Sequence, residues 1–448
     1  MNLGSIIHGI IGITVIILIT FCFSNQKKKI NWTLVGKGLL LQLLFAFFII
    51  KGNDLQQIFY PLGLPKLCLE WLGSFVVLLL TFTLEGSKFV FGPLGVSNGD
   101  GSIGFIFAFQ SLSTIIFISS ITSLLYYFGI LQKIVNGMAH LMIKILGTSG
   151  AESLTTAANI FVGQTEAPLL IAPYIDKMTK SEILTIMISG MATVAGGVMA
   201  AYITILGQSL AAAKGIEIHA ASIQIAVHLL AASVMAAPCS IVIAKILYPE
   251  TEESLTKGSV KIHTEESASN FLEAAAKGAS QGVRLAINVA AMLVAFIALV
   301  TLLNHFLMFV GDVTGLNAIL IEKYGGPFSF QFILGFILQF VAFIIGIPWQ
   351  DAIHFGSLIG SKVVLNEFVA YIDLSSLIAQ NVLSDKTIVM ASYALCGFAN
   401  FSSIAIQIGG IGELAPNKKS TIAELGLKSL LGGTLVNLMT ATIGGMIF

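Results

Sequence analysis

Glu166 and Glu367 each sit in a short polar string within otherwise apolar sequence. The strings are Gly163-Gln164-Thr165-Glu166-Ala167-Pro168, and Asn366-Glu367-Phe368 followed by Gly397-Phe398-Ala399-Asn400-Phe401-Ser402-Ser403. A carboxylate, an amide and a hydroxyl, as in Glu367, Asn400 and Ser403, make a good receptor for vicinal hydroxyls, and a ring such as Phe398 suits a flat heterocycle. Gly163 and Pro168 bracket Gln164, Thr165 and Glu166. Glycine permits unusual backbone and proline cannot donate to a continuing helix, so the main chain is open where three polar side chains sit. Asn159 lies one helical turn before Gly163. With free carbonyls at the break it would offer neutral oxygens to Na+. In Thr193-Val194-Ala195-Gly196-Gly197-Val198 the glycine pair either allows close helix packing or breaks the helix and exposes the carbonyls of Thr193 and Val194. Lys362 and Asp351 read as structural, neutralising one another or Glu367.

The elements that must position these groups are membrane helices. The chain has 448 residues, 56% hydrophobic and 10% charged, where soluble proteins carry about 25% charged residues. It is therefore a polytopic membrane protein. An ionisable side chain in the bilayer costs at least ~2.5–3.5 kcal/mol, and such groups usually mark a pathway or ligand site. Cys22, Cys68, Cys239 and Cys396 are scattered through apolar runs and read as small buried hydrophobes. The first apolar run is followed, not preceded, by Lys27–Lys29, so it reads as a first membrane helix and not as a signal peptide.

Crossings are expected near 4–24, 32–51, 103–128, 182–212, 221–248, 284–311, 387–409 and 425–447. With both termini outside, the cytoplasmic side receives Lys27–Lys29, Lys133, Lys144, Lys177, Lys180, Lys257, Lys261, Lys277, Lys418 and Lys419. The outer loops keep few, such as Lys66, Lys214 and Lys323. Residues 66–91, 131–146 and 329–347 suit interfacial or packed amphipathic helices. Pro249–Glu273 reads as a solvated cytoplasmic loop leading into a helix. Around Glu166 and again around Glu367 the order repeats: interfacial helix, polar segment, break, short return, two spans. An odd number of crossings separates the two units, so they insert with opposite orientation. Inverted repeats with interrupted helices point to a secondary transporter, each break being the tip of a re-entrant hairpin.

Other classes lose ground on the same residues. Net charge is zero and no long basic block exists, which disfavours nucleic acid as a partner. There is no GxxxxGK[ST] or HExxH string, so direct ATP drive and metal-dependent intramembrane hydrolysis are disfavoured, and no enzymatic activity is expected. The one arginine, Arg284, lies far in sequence from both strings, so a neutral polar solute is favoured over an anionic one. A channel remains a remote alternative, as does a membrane enzyme using Glu166 or Glu367 as a base.

Gly-Gln-Thr-Glu-Ala-Pro at 163–168, Ala-Thr-Val-Ala-Gly-Gly at 192–197, Lys-Val-Val-Leu-Asn-Glu-Phe-Val-Ala-Tyr at 362–371 and Cys-Gly-Phe-Ala-Asn-Phe-Ser-Ser at 396–403 resemble the concentrative nucleoside transporter family. So does Gly282 through Asn304, and the likeness covers nearly the whole chain in order. The resemblance implies an all-α homotrimer in the bacterial inner membrane, with eight transmembrane helices, two re-entrant hairpins and interfacial helices. Each protomer would have a scaffold and a transport domain moving as an elevator. Residues 1–128 and 249–311 would be mainly scaffold. Residues 129–248 (hairpin about 148–178) and 312–448 (hairpin about 349–378) would be the transport repeats. Carried over by position, Gln164, Thr165, Glu166, Val198 and Phe398 would face the nucleobase, and Glu367, Asn400 and Ser403 the ribose. Asn159, Val162, Thr193 and Val194 would hold Na+, largely through backbone carbonyls. Na+ is the expected coupling ion and H+ the rival.

Overall fold

A computed structural model of the chain describes residues 3–96, 104–257, 268–324 and 326–448, and the described secondary structure is helical. Helix α1 (Leu3–Cys22) is apolar all round, and α2 (Trp32–Ile50) is capped by Asn31, whose side chain accepts from the Leu34 N–H. The short α3 (Gly52–Ile58) leads into α4 (Leu64–Phe91) and α5 (Phe107–Tyr127). Helix α6 (Ile130–Leu146) is amphipathic, burying Leu131, Val135, Ala139, Met142 and Leu146 along one face. Next come α7 (Gly150–Ala158), an irregular stretch, α8 (Ala172–Ile175), α9 (Lys180–Ala192), α10 (Gly196–Lys214) and α11 (Ile218–Leu247). Helix α12 (Phe271–Val313) has 43 residues, about 65 Å at 1.5 Å per residue and so roughly twice the hydrocarbon core. The second half comprises α13 (Leu316–Tyr324), α14 (Phe330–Ile344), α15 (Trp349–Val364), α16 (Glu367–Ala379), α17 (Asp385–Leu395), α18 (Phe401–Leu414) and α19 (Lys419–Ile447).

Length and apolarity pick out eight stretches able to cross a membrane among the described residues. Seven coincide with expected crossings. The eighth is Tyr60–Gly95, which contains α4, expected to lie at the interface. The expected crossing 387–409 is two helices, α17 and α18, separated around Gly397 at residues 396–400 and each too short to span alone. Helices α14 and α15 meet at a bend of 119°. The loop expected to be solvated is partly tied down. Glu250 accepts from Thr179 Oγ1 at 2.8 Å, Ser254 donates to Glu182, and the Thr256 carbonyl accepts from the Gly150 N–H at 2.8 Å. Lys245, 2.7 Å from Glu152 and 3.4 Å from Glu250, neutralises the acids there. The segment packs because the start of α7 leaves N–H groups that need acceptors, which Thr256 supplies to Gly150 and Ala151. Residues 258–267 of that loop, with Lys261, fall outside the described residues. Of the cysteines, Cys239 and Cys396 are buried as expected, whereas Cys22 and Cys68 are exposed on outer helices.

The centre of the molecule is built from α9, α10, α11 and α19. The apolar windows of the α9–α10 stretch, of α11 and of α19 are 89%, 83% and 83% buried, against 22–39% for the other five. On the periphery α5 packs along α12. Ser120 and Ser123 donate to the carbonyls of Ala275 and Ala274 at 2.9 and 2.8 Å across that seam.

Two helix interruptions meet at the core. Helix α9 stops at Ala192 and α17 at Leu395, and a helix leaves its last four carbonyls without internal partners. Asn437 of α19 donates to both sides, to Ala192 O at 2.7 Å and to Cys396 O at 2.9 Å. Its own oxygen accepts from Lys362 Nζ, which also donates to Ala394 O at 2.9 Å. A Cβ on Gly397 would come within 2.7–2.8 Å of the Met191 and Ala192 backbone, so only glycine lets the two breaks cross this closely. Lys362 is thus structural, as expected, but through carbonyls and an amide and not through Asp351. Asp351 instead accepts from the Ser384 N–H (3.1 Å) and from the hydroxyls of Ser384 and Thr387 (both 2.6 Å), fixing the start of α17. Asn437→Ala would leave buried carbonyls and an ammonium short of partners, each worth ~1–3 kcal/mol. We expect it to destabilise the protein by roughly 3 kcal/mol. Thermal unfolding in detergent checks this, and an unchanged midpoint would contradict it.

Candidate functional site

Glu367 is the first residue of α16 and Asn400 caps α18, so the positive ends of two helices point at one carboxylate. Asn366 caps α16 by accepting from the Val369 N–H at 2.9 Å, and Asn400 accepts from the Ser403 N–H at 2.8 Å. The free end of the Asn400 amide donates to Glu367 Oε2 at 2.9 Å. Tyr202 of α10 donates to Glu367 Oε1 at 3.1 Å. Its ring stacks on Tyr371 (centroids 4.1 Å apart) and meets Phe368 edge-on (4.8 Å). Glu367, Asn400 and Ser403 are 4%, 2% and 1% exposed. A carboxylate so placed, held by two donors with further lone pairs free, can accept from two adjacent hydroxyls.

The first polar string reaches the same place. Gln164 donates from Nε2 to Ser403 Oγ at 3.3 Å, and its Oε1 accepts from Gln407 at 3.0 Å. Thr165 lies against Gly410 of α18, where a Cβ would come within 2.7 Å of the threonine methyl. Phe398 is half-buried in the α17–α18 break, while Val198 is buried. Glu166 departs from the group: its side chain is exposed and its carboxylate folds over Gly163.

The residues expected to hold a cation surround the other break. Asn159 caps the end of α7 and donates to Ser189 Oγ at 2.9 Å, and Thr193 Oγ1 donates to Ser189 O at 2.8 Å. Asn159 Oδ1 is buried with no hydrogen-bond donor beside it. Phe161 O accepts from the Gly196 N–H at 3.1 Å, joining the irregular stretch after α7 to the start of α10. Val194 is buried and Val162 half-buried along the same two breaks. An orphaned amide oxygen among helix-end carbonyls is the donor set of a hard cation.

Sequence reasoning missed Tyr202, Gln407 and Asn437. A single amide in Ile404-Ala405-Ile406-Gln407-Ile408 was a signal of the same kind as Asn159, and Asn437 is a lone amide in the last span. Tyr202 gave no signal, since a tyrosine in an apolar helix is ordinary.

Family models match in three segments: "Na+ dependent nucleoside transporter N-terminus" over residues 11–94, "Nucleoside recognition" over 108–209, and "Na+ dependent nucleoside transporter C-terminus" over 228–445. The chain is 43% identical to the Bacillus subtilis protein YutK, described as an uncharacterized transporter, over 99% of each chain. It is 40% identical to the nucleoside permease NupC of Helicobacter pylori, over 99% of this chain and 98% of the relative. The chain belongs to the concentrative nucleoside transporter family. Its fold matches a structure of CNTnw in an inward-facing substrate-bound state, with a TM-score of 0.82 and 36% identity over 99% of this chain and 98% of that one. As a member of a transporter family it is not an enzyme, and its many apolar helices make it a multi-pass membrane protein.

Tyr202→Phe tests the seating of Glu367, because it keeps the ring stack and removes one donor. A hydrogen bond to a charged group is worth about 1.5–3 kcal/mol, so the unfolding midpoint should fall by several degrees. A midpoint equal to wild type would mean that the phenol does not hold the carboxylate.

Proposed function

We propose that the protein imports nucleosides with a cation, Na+, by an elevator motion of its two inverted repeats. The observation that carries this reading is the continuous polar seam through Gln164, Ser403, Asn400 and Glu367, drawn from both repeats and buried in the most enclosed part of a membrane protein. In it Glu367, Asn400 and Ser403 receive the ribose hydroxyls. Gln164, Thr165 and Glu166, with Phe398 and Val198 as apolar walls, receive the base, Glu166 swinging in from over Gly163 when ligand enters. Na+ binds between the two breaks, with Asn159 Oδ1 and the Thr193 hydroxyl as side-chain ligands and carbonyls of Val162, Thr193 and Val194 completing the set.

The scaffold comprises residues 1–128 and 249–311, with α5 packed on α12. The transport domain comprises 129–248 and 312–448, with α7–α8 and α15–α16 as re-entrant hairpins. Exposed apolar side chains on the outer helices, such as Trp71 and Phe75 of α4 and Phe306 and Phe309 of α12, suit a lipid boundary and the contacts of a homotrimer in the bacterial inner membrane. Both termini lie outside. One Na+ moving through 100 mV yields ~2.3 kcal/mol and a tenfold gradient ~1.4. Together these support roughly 500-fold accumulation.

Uptake of labelled uridine into proteoliposomes, with Na+ and pH gradients imposed separately, tests the coupling ion. We expect uptake to follow Na+, and Asn159→Leu to lose at least about tenfold of its Na+ stimulation. Uptake that ignores Na+ and follows ΔpH would establish a proton symporter instead, and unsaturable flux a channel. Glu367→Gln should weaken ribonucleoside binding by at least about 100-fold, because a charge-assisted acceptor for two hydroxyls is lost. Normal binding by this variant would remove the ribose role.

A further inference from the structure

Gln407 of α18 is fully buried, and its Nε2 donates to two acceptors, the Met187 backbone carbonyl at 2.9 Å and Gln164 Oε1 at 3.0 Å. A carbonyl can only accept, so it fixes the nitrogen end of the Gln407 amide toward α9. That nitrogen in turn can only face the oxygen of the Gln164 amide. The Gln164 nitrogen is thereby turned the other way, where one of its hydrogens goes to Ser403 Oγ and the second remains for a ligand. Gly190, three residues after Met187, makes room for this pair. A Cβ there would stand 2.8 Å from the Gln164 Cβ and 3.2 Å from Gln407 Nε2. Gln407 Oε1 meanwhile is buried without a partner. An apolar side chain of similar shape would avoid that cost, so simple packing does not account for a glutamine here.

We infer that Gln407 is a positioning residue for base selectivity. It locks the Gln164 amide as a hydrogen-bond donor, so that the site favours a base presenting a carbonyl oxygen on the edge that Gln164 meets. The inference rests on the proposed nucleoside site and adds a polarity to it. Uridine and cytidine differ along one edge, a carbonyl beside a ring N–H against an amino group beside a bare ring nitrogen, as do inosine and adenosine, and Gln164 is taken to meet the exocyclic group. The lock favours the carbonyl member of each pair.

The test is direct binding to the purified full-length protein of these four nucleosides and of 3′-deoxyuridine. Gln407→Met frees the Gln164 amide, and Gln407→Glu replaces the donor with an acceptor that draws the Gln164 nitrogen toward itself. In both variants the uridine-to-cytidine and inosine-to-adenosine affinity ratios should fall by about fivefold, the worth of one net hydrogen bond. The uridine-to-3′-deoxyuridine ratio should stay as in wild type. Base ratios unchanged in the variants would overturn the inference, as would equal loss of base and sugar discrimination, which marks a merely structural role. If Gln407→Glu does not fold, Gln407→Met decides alone. Failure of the wild type to bind any of the nucleosides would instead refute the proposed function.

Discussion

Two helices end inside this molecule, and the carbonyls they leave behind must be satisfied without water. This requirement organises the core. Asn437 serves both ends at once because its amide carries two donors, one for Ala192 and one for Cys396, while its oxygen takes Lys362. The lysine reaches the second break through Ala394. One side chain on α19 therefore sets the spacing of the α9 and α17 ends. The crossing at Gly397 is as close as it is because no side chain intervenes. The candidate site residues likewise sit at helix termini: Glu367 and Asn400 at the starts of α16 and α18, Asn159 and Thr193 at the ends of α7 and α9.

Much of this was legible in the sequence, for a physical reason. Polar residues in an apolar setting are costly, so Gln164, Glu367, Asn400 and Ser403 stood out, and the structure gathers them into one seam. The Gly397 and Thr193–Gly197 interruptions were readable because glycine and exposed carbonyls go together. Hydropathy alone runs on through residues 387–409, and it is Gly397 that marks the backbone break there. Hydropathy left the place of α4 open, since length and apolarity serve a crossing and a buried interfacial helix equally. Glu250–Lys257 looked like solvent-facing loop because most of what ties it down lies far away in sequence, Thr179 for Glu250, Glu182 for Ser254 and Gly150 for Thr256. Tyr202 was hidden for the opposite reason. Its ring is at home in an apolar core, and only its hydroxyl has a polar task.

The seam has a direction as well as a composition. From Met187 through Gln407, Gln164, Ser403 and Asn400 to Glu367, each link is a donor matched to an acceptor, and both ends are groups that only accept. Such a chain allows little freedom to flip any one amide without unmaking its neighbours. Helices α9, α16 and α18 are thereby held in register by polar contacts as well as by packing.

The contact of the two breaks at Gly397 also has a thermodynamic consequence. Ordering one break narrows the positions open to the other, because they share Asn437 and touch through backbone. With an ion at one break and a solute at the other, as proposed, the two occupancies are linked functions. Whatever factor the one applies to the affinity of the other is returned in equal measure. The sequence of arrival can change the rates but leaves that factor the same.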